Sequence, residues 1–583
     1  MDIDFIKSYL PFIDNEHLKK EPVQFNLPIQ TLDNNYVVNE NIIDEMELTD
    51  GENPIYHKIF NMRTPFEKLN ADALAKYYTD DSVFLKDNQV FLSSCVPQAI
   101  DDKCIEDIIE LRKDIADETG FIEKYHFIEW DQLKFLNNNS TIMKYLSLYE
   151  LSSPLLTLAL PIFLLIMPFF IIRLQGHPIN FNKYTEVLKQ VLSNHSIGQI
   201  FTIGSASWDK RIYIIISFVF YLAQIYWNYQ SCKKFISNFK TIHDKLDIIK
   251  DYMRKSINIM SNTVSNIKLS SITTFNNWYS ELQLCINHMS EMLGKYEKFT
   301  SYKLSIGKVR EIGYLMQSFY QLYNDKYLIS IIDYSVKFNS YIKNLNNFNT
   351  RIIEKQVSTC TFSNKKTYFK KAYYPIMVDE DFVPNNINLN KNIIITGPNA
   401  AGKTTIIKTA MINILLSQQL GYGFYKKAKI CCYQDLQCYI NIPDTSGRDS
   451  LFQAEARRCK EILDNNQDTT KNKFCVFDEL FSGTNPYEAI GAATGFLKYL
   501  NKHDNITFII TTHFLDLCKK MESDNNIINL NMEIENINND FNYTYKIVPG
   551  ISNVKGGIKV LKDLDFPNEI IENAEKAIDN INI

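Results

Sequence analysis

Ile393-Ile394-Ile395-Thr396-Gly397-Pro398-Asn399-Ala400-Ala401-Gly402-Lys403-Thr404-Thr405 is the stretch from which the rest of the chain is read. Three isoleucines make the short apolar run of a buried parallel strand. Gly397, Gly402, Lys403 and Thr404 then complete the G-x-x-x-x-G-K-[ST] pattern, and residues 406–416 follow as a helix. Strand, glycine loop and helix together form a phosphate cradle, because the glycines let backbone N–H groups turn inward at a helix N-terminus. Lys403 supplies a point charge near the β- and γ-phosphates, and the Thr404 hydroxyl is placed to ligate Mg²⁺.

Three further stretches supply partners for this loop. Phe474-Cys475-Val476-Phe477-Asp478-Glu479 is an apolar strand ending in two carboxylates. Asp478 suits Mg²⁺, and Glu479 is placed to orient and deprotonate the attacking water. Phe508-Ile509-Ile510-Thr511-Thr512-His513 is a second buried strand, delivering His513 at the end where open α/β sheets bind ligands. Its expected role is to sense the γ-phosphate. Ser446-Gly447-Arg448-Asp449-Ser450-Leu451-Phe452-Gln453-Ala454-Glu455 opens a helix, with Ser450 near the N-terminal N–H groups that favour phosphate.

In this order the four motifs resemble the ATPase domain of the MutS DNA mismatch repair family, and residues 545–557 resemble that family's C-terminal end. The likeness covers roughly residues 365–583 and is carried most specifically by Pro398-Asn399 and by Glu479-Leu480 followed by Gly483-Thr484. The resemblance implies ATP and Mg²⁺ as cofactors and a composite site in a homodimer, or in a heterodimer with a related ATPase. Residues 397–405 of one subunit would hold ATP, with Asn399 toward the γ-phosphate, and Ser450 of the other would reach the same phosphate. Phe382, in Asp-Phe-Val-Pro-Asn, matches the position that stacks on adenine, and Tyr545 would flank the base. Residues 481–485 would cross the dimer interface. Double-stranded or branched DNA is the expected macromolecular partner. Ala400-Ala401 stand where repair members commonly carry Met-Gly, and about 150 residues precede the first apolar run, so mismatch-reading domains are not expected.

Two uncharged apolar runs, 151–172 and 212–232, have the length that crosses a bilayer core. Arg173 and Arg211 bound the intervening loop, Lys233 and Lys234 close the second run, and Tyr221, Tyr226, Trp227 and Tyr229 suit an interfacial belt. Pro154, Pro161 and Pro168 recur every seven residues, which a membrane helix tolerates better than a soluble one. The chain thus resembles the membrane-anchored branch of the family. It is expected to be a multi-pass membrane protein with two spans, ATPase and termini toward the cytosol, and residues 173–211 on the other side.

The expected fold class is an α/β P-loop (ABC-type) ATPase domain at the C-terminus, preceded by a mainly α-helical lever region with a two-helix transmembrane hairpin. The expected segments are a mostly helical region 1–150, the hairpin 151–232, long helical arms 233–360 and the ATPase domain 361–583. Within the first segment, residues 70–92 and 99–116 read as helices. Phe-Ile-Glu occurs at 121–123 and 127–129; a Phe-x-Glu wedge probes mismatches elsewhere, but three residues without a surrounding domain read as core.

Composition narrows the rivals. There are 62 basic and 67 acidic residues in 583, so no overall basic footprint advertises a nucleic-acid binder. The 11 cysteines are scattered without a metal or disulfide framework, which fits a reduced compartment. One alternative is a soluble DNA-repair ATPase whose apolar runs are buried. Another is an ABC-type transporter, although Ser-Leu-Phe-Gln-Ala stands in place of the transport signature and two spans are few.

Overall fold

The computed structural model describes residues 21–583, apart from 118–119, 194–195, 201–202, 301, 303–307, 365, 441–449, 465–469, 538–539, 553–557, 559–560, 563 and 581–583. The chain forms two compact units. The first comprises Met1–Gln24, Asp101–Ile257 and Asn287–Tyr334; the second comprises Phe25–Ile100, Asn258–Ile286 and Ser335–Ile583.

The first unit is helical. Helix Ser140–Leu174 contains the first apolar run with all three prolines. Helix Trp208–Leu269, 62 residues in all or about 93 Å at 1.5 Å per residue, carries the second run near its start, its residues from 258 on belonging to the second unit. The apolar windows of these helices are only 11% and 6% buried. That is the reverse of what helices in a soluble core would show. The two runs are antiparallel neighbours: Ser231 Oγ lies 3.3 Å from Glu150 Oε2, Asn228 Nδ2 donates to Thr157 Oγ1 at 2.7 Å, and Tyr221 Oη donates to the Thr157 carbonyl at 3.0 Å. The last bond has a local cause. Pro161 has no N–H, so the carbonyl four residues back has lost its helical donor. The Ser153 hydroxyl likewise donates to the Glu150 carbonyl, which Pro154 leaves free. Phe121 and Phe127 are core residues; Phe121 stacks on Tyr323 with ring centroids 4.1 Å apart. Neither Phe-Ile-Glu copy presents a free wedge.

All described strands lie in the second unit: β1 (Asn35–Val37), β2 (Tyr77–Thr79), β3 (Ser358–Ser363), β4 (Tyr368–Ala372), β5 (Asn385–Asn388), β6 (Asn392–Thr396), β7 (Tyr422–Gly423), β8 (Lys427–Cys431), β9 (Asp435–Tyr439), β10 (Lys473–Asp478), β11 (Ile506–Thr511), β12 (Ile527–Ile537) and β13 (Asp540–Pro549). The main sheet runs β13-β12-β6-β11-β10-β9, parallel except for the antiparallel edge β13. A smaller sheet runs β5-β4-β8-β3-β7. The fully buried β6 lies between β12 and β11, so its C-terminal end is flanked on both sides.

Helix Lys403–Leu420 follows the glycine loop and is buried over almost its whole length. A helix buried on nearly every side must find partners for its polar side chains. Its polar C-terminal residues are paired. Gln418 Nε2 donates to the carbonyls of Thr79 and Tyr433, at 3.0 and 2.8 Å, and Gln419 Nε2 donates to that of Tyr77 at 2.8 Å. These bonds hold Phe25–Ile100 against the nucleotide unit, although the sequence places that segment in a separate N-terminal region. The helix expected over 70–92 is interrupted: Ala71–Lys76 and Ser82–Val90 are helical, but Tyr77–Thr79 pairs with Asn35–Val37 as a strand. Within the expected arm region, one helix runs Asn276–Tyr296.

Candidate active site

The glycine loop turns where L-side chains resist turning. Gly402 has φ +90°, and a Cβ there would meet the Tyr545 ring at 3.4 Å. Ala400, at φ +63°, takes the left-handed conformation without being glycine, as Glu479 does at φ +55°. Such strain persists only where the surroundings impose it, and it concentrates at functional sites.

The side chains singled out in the sequence meet at the C-terminal ends of β6, β10 and β11. Thr404 Oγ1 donates to Asp478 Oδ2 at 2.7 Å, and the Thr511 hydroxyl donates to the other Asp478 oxygen. Lys403 is buried; its Nζ donates to the Pro398 carbonyl at 3.2 Å and lies 3.0 Å from His513 Nε2 and 3.9 Å from Glu479 Oε1. His513 Nε2 is also 2.7 Å from Asn399 Oδ1 and 2.8 Å from Glu479 Oε1. The hydrogen bond from His513 is the largest influence on the Glu479 carboxyl and holds it below the usual glutamate range, against the opposing effect of burial. Burial pulls the Lys403 ammonium down, while Glu479 and Asp478 oppose it.

A cavity of about 540 Å³ opens beside this cluster. Asn399, Ala400, Gly402, Lys403, Thr404, Thr405 and Glu479 line it, together with Phe382, Tyr373, Met532 and Tyr545. Gly397 lies behind the loop, where a Cβ would come within 3.0 Å of Met532 Cβ, and Ala401 is buried beneath it. Phe382 keeps one face stacked on Tyr373, with centroids 3.9 Å apart and planes at 12°. Tyr545 sits at φ +55° in a bulge of β13, with its carbonyl held by Asn385 Nδ2 at 2.9 Å and the Ile547 N–H held by Asn385 Oδ1 at 2.9 Å. Asn385, Tyr373 and Met532 escape sequence reading, because their contribution depends on contacts more than 100 residues apart or on ordinary apolar identity.

Thr404 and Asp478 fit a magnesium site. Their oxygens are 2.7 Å apart, near the roughly 2.9 Å between adjacent corners of an octahedron with 2.0–2.1 Å bonds. Ser450 is exposed and does not line the cavity. It caps helix Leu451–Asp464, exchanging bonds with Gln453 at 3.0 and 3.4 Å. Residues 446–449 of the same motif lie outside the described residues, as do 553–557 of the C-terminal stretch. Glu455, quoted in that motif, is buried. It accepts from Ser482 N and Oγ at 3.0 Å each and from Gly483 N at 3.1 Å. Gly483 is required there, since a Cβ would fall 2.7 Å from Leu451 Cγ.

A parallel sheet with this loop after a central strand, and with a carboxylate pair two strands away, defines a P-loop nucleotide-binding domain. The family model described as MutS domain V matches residues 393–582. DNA mismatch repair protein MutS of Persephonella marina is 31% identical over 215 residues, 36% of this chain and 24% of its own length. Endonuclease MutS2 of Staphylococcus saprophyticus is 27% identical over 37% of this chain and 27% of its own, and DNA mismatch repair protein MSH2 of Saccharomyces cerevisiae 26% over 38% and 24%. The likeness to the MutS family thus lies in the C-terminal domain, residues 393–582, a third of the chain. The matches span about a quarter of the length of these relatives.

Proposed function

We propose that this chain is a membrane-anchored ATPase of the MutS type that works as a dimer. The observation supporting hydrolysis is the meeting of Lys403, Thr404, Asp478, Glu479 and His513 beside a cavity large enough for a nucleotide. Lys403 and the loop N–H groups hold the phosphates, displacing Pro398 and His513 as partners of Nζ. Phe382 and Tyr545 border the base. Thr404 and Asp478 hold Mg²⁺, which supplies charge neutralisation at the phosphates. Glu479 takes the proton from the attacking water; the new P–O bond forms at the γ-phosphorus as the bond to ADP breaks. His513 and Asn399 are placed to hold the γ-phosphate.

The dimer rests on the family likeness and on Ser450, which is exposed and lies outside the cavity of its own chain. The membrane anchor rests on apolar helices that bury little of their surface within the chain. Aromatic residues mark the two ends of the hairpin: Tyr226, Trp227 and Tyr229 at one and Trp208 and Tyr213 at the other, all more than half exposed. Both termini then face the cytosol with the ATPase. Double-stranded or branched DNA is the proposed macromolecular ligand, in keeping with the relatives' names.

The test is fractionation followed by ATP hydrolysis with and without Mg²⁺. The protein should stay with membranes until detergent is added and should hydrolyse ATP only with Mg²⁺. Full solubility without detergent refutes the anchor, and no hydrolysis by a folded, nucleotide-free preparation refutes the enzyme.

A further inference from the structure

We infer that the solvent face of the smaller sheet binds the phosphodiester backbone of a nucleic acid. The chain carries a net charge of −5, yet between residues 358 and 434 its only carboxylates are Asp379, Glu380 and Asp381. Asp379 is already paired with Lys58 at 3.0 Å and Arg351 at 3.7 Å. Lysines gather on the sheet instead. In β8, Lys427 and Lys429 are exposed while Ala428 and Ile430 are buried, so both lysines share the outer face. Lys370 of β4 lies directly opposite Lys427, and Tyr368 opposite Lys429. Like charges in a directly opposed cross-strand pair weaken a sheet. No carboxylate on β3, β4, β5 or β8 relieves this one.

The backbone adds a further lysine at the cost of strain. The β4–β5 register shifts between Phe369 and Ala372, and Lys371 takes φ +55° with its N–H on Asn386 Oδ1 at 3.0 Å. Strict alternation would turn Lys371 inward; the bulge leaves Lys370 and Lys371 both exposed. None of Lys370, Lys371, Lys427 and Lys429 forms an ion pair among the described residues. Around them lie Thr359, Thr361, Asn386 and Asn388, exposed and suited to phosphate oxygens. The face carries no exposed large apolar side chain of the kind that enters lipid. Dense positive charge, hydrogen-bonding neighbours and no apolar anchor favour a phosphodiester strand over a bilayer. Only backbone is contacted, so binding is independent of sequence.

The inference deepens the DNA part of the proposed function and is independent of its ATPase part. Its test uses full-length protein in zwitterionic nanodiscs and a labelled DNA duplex titrated at several salt concentrations. Lys370→Gln/Lys371→Gln/Lys427→Gln/Lys429→Gln should reduce the slope of log affinity against log salt by about 3 to 4, since each phosphate contact contributes about 0.9. ATP hydrolysis without DNA should not change. Lys427→Glu should also weaken binding while leaving Tm equal or higher, because it converts a repulsive pair into an attractive one. An unchanged slope in the quadruple variant overturns the surface while leaving DNA as a ligand. No duplex binding by the unmodified protein overturns both, as does capture by phosphatidylserine vesicles with none by duplex.

Discussion

At the residue scale, the proposed function gives Glu479 and Lys403 distinct tasks, proton acceptor and phosphate anchor. Glu479→Gln keeps the shape but removes the base, so nucleotide should still bind while turnover falls roughly 10²–10⁴-fold; filter binding and phosphate release read the two separately. Normal turnover in that variant would remove Glu479 from the role. Lys403→Ala should abolish binding itself. The His513 contact makes a pH prediction. Glu479 acts only when ionised, and His513 holds its carboxyl low, so activity is lost only as pH falls through that lowered value. The acid limb should therefore lie below the ordinary glutamate pKa of about 4.3. His513→Ala removes the largest lowering influence and should move the limb upward in a kcat–pH profile. An unmoved limb assigns the titration to another group.

At the element scale, two polar contacts hold pieces that local sequence would leave loose. Glu455→Ala removes the acceptor of the Ser482 and Gly483 N–H groups, each bond contributing about 0.5–1.5 kcal/mol net. Tm should fall, and hydrolysis with it, since Glu479 precedes that loop. Glu455 therefore acts as an anchor within the motif around Ser450. In the proposed membrane hairpin, Tyr221→Phe removes the donor to the carbonyl that Pro161 frees. Bonds of this kind average about 0.6 kcal/mol in membranes, so a small drop in thermal stability in detergent is expected. Strong local signals were legible: the helix after the glycine loop was expected over 406–416 and is Lys403–Leu420. Strand Tyr77–Thr79 was not, because it exists through pairing with Asn35–Val37, some 40 residues away.

At the scale of the whole molecule, the proposed dimer predicts complementation. Lys403→Ala chains mixed with Ser450→Ala chains should regain activity, because one composite site in the mixed pair keeps both residues. Activity no greater than that of either variant alone refutes the shared site. The sequence by itself determined the phosphate cradle, the carboxylate pair, His513 and the two apolar runs. Each is a local pattern whose chemistry depends on residue type and spacing along a strand or helix. Only the tertiary structure decided that Phe25–Ile100 packs with the nucleotide unit, that Asn385 holds the Tyr545 bulge and that Glu455 ties down residues 482–483. It also decided that Lys370 faces Lys427 across a sheet. These features depend on register and hydrogen bonds between residues far apart in the chain, which periodicity and composition do not encode. The glycine loop defines a nucleotide site on its own; the strands on either side of it determine which side chains meet there.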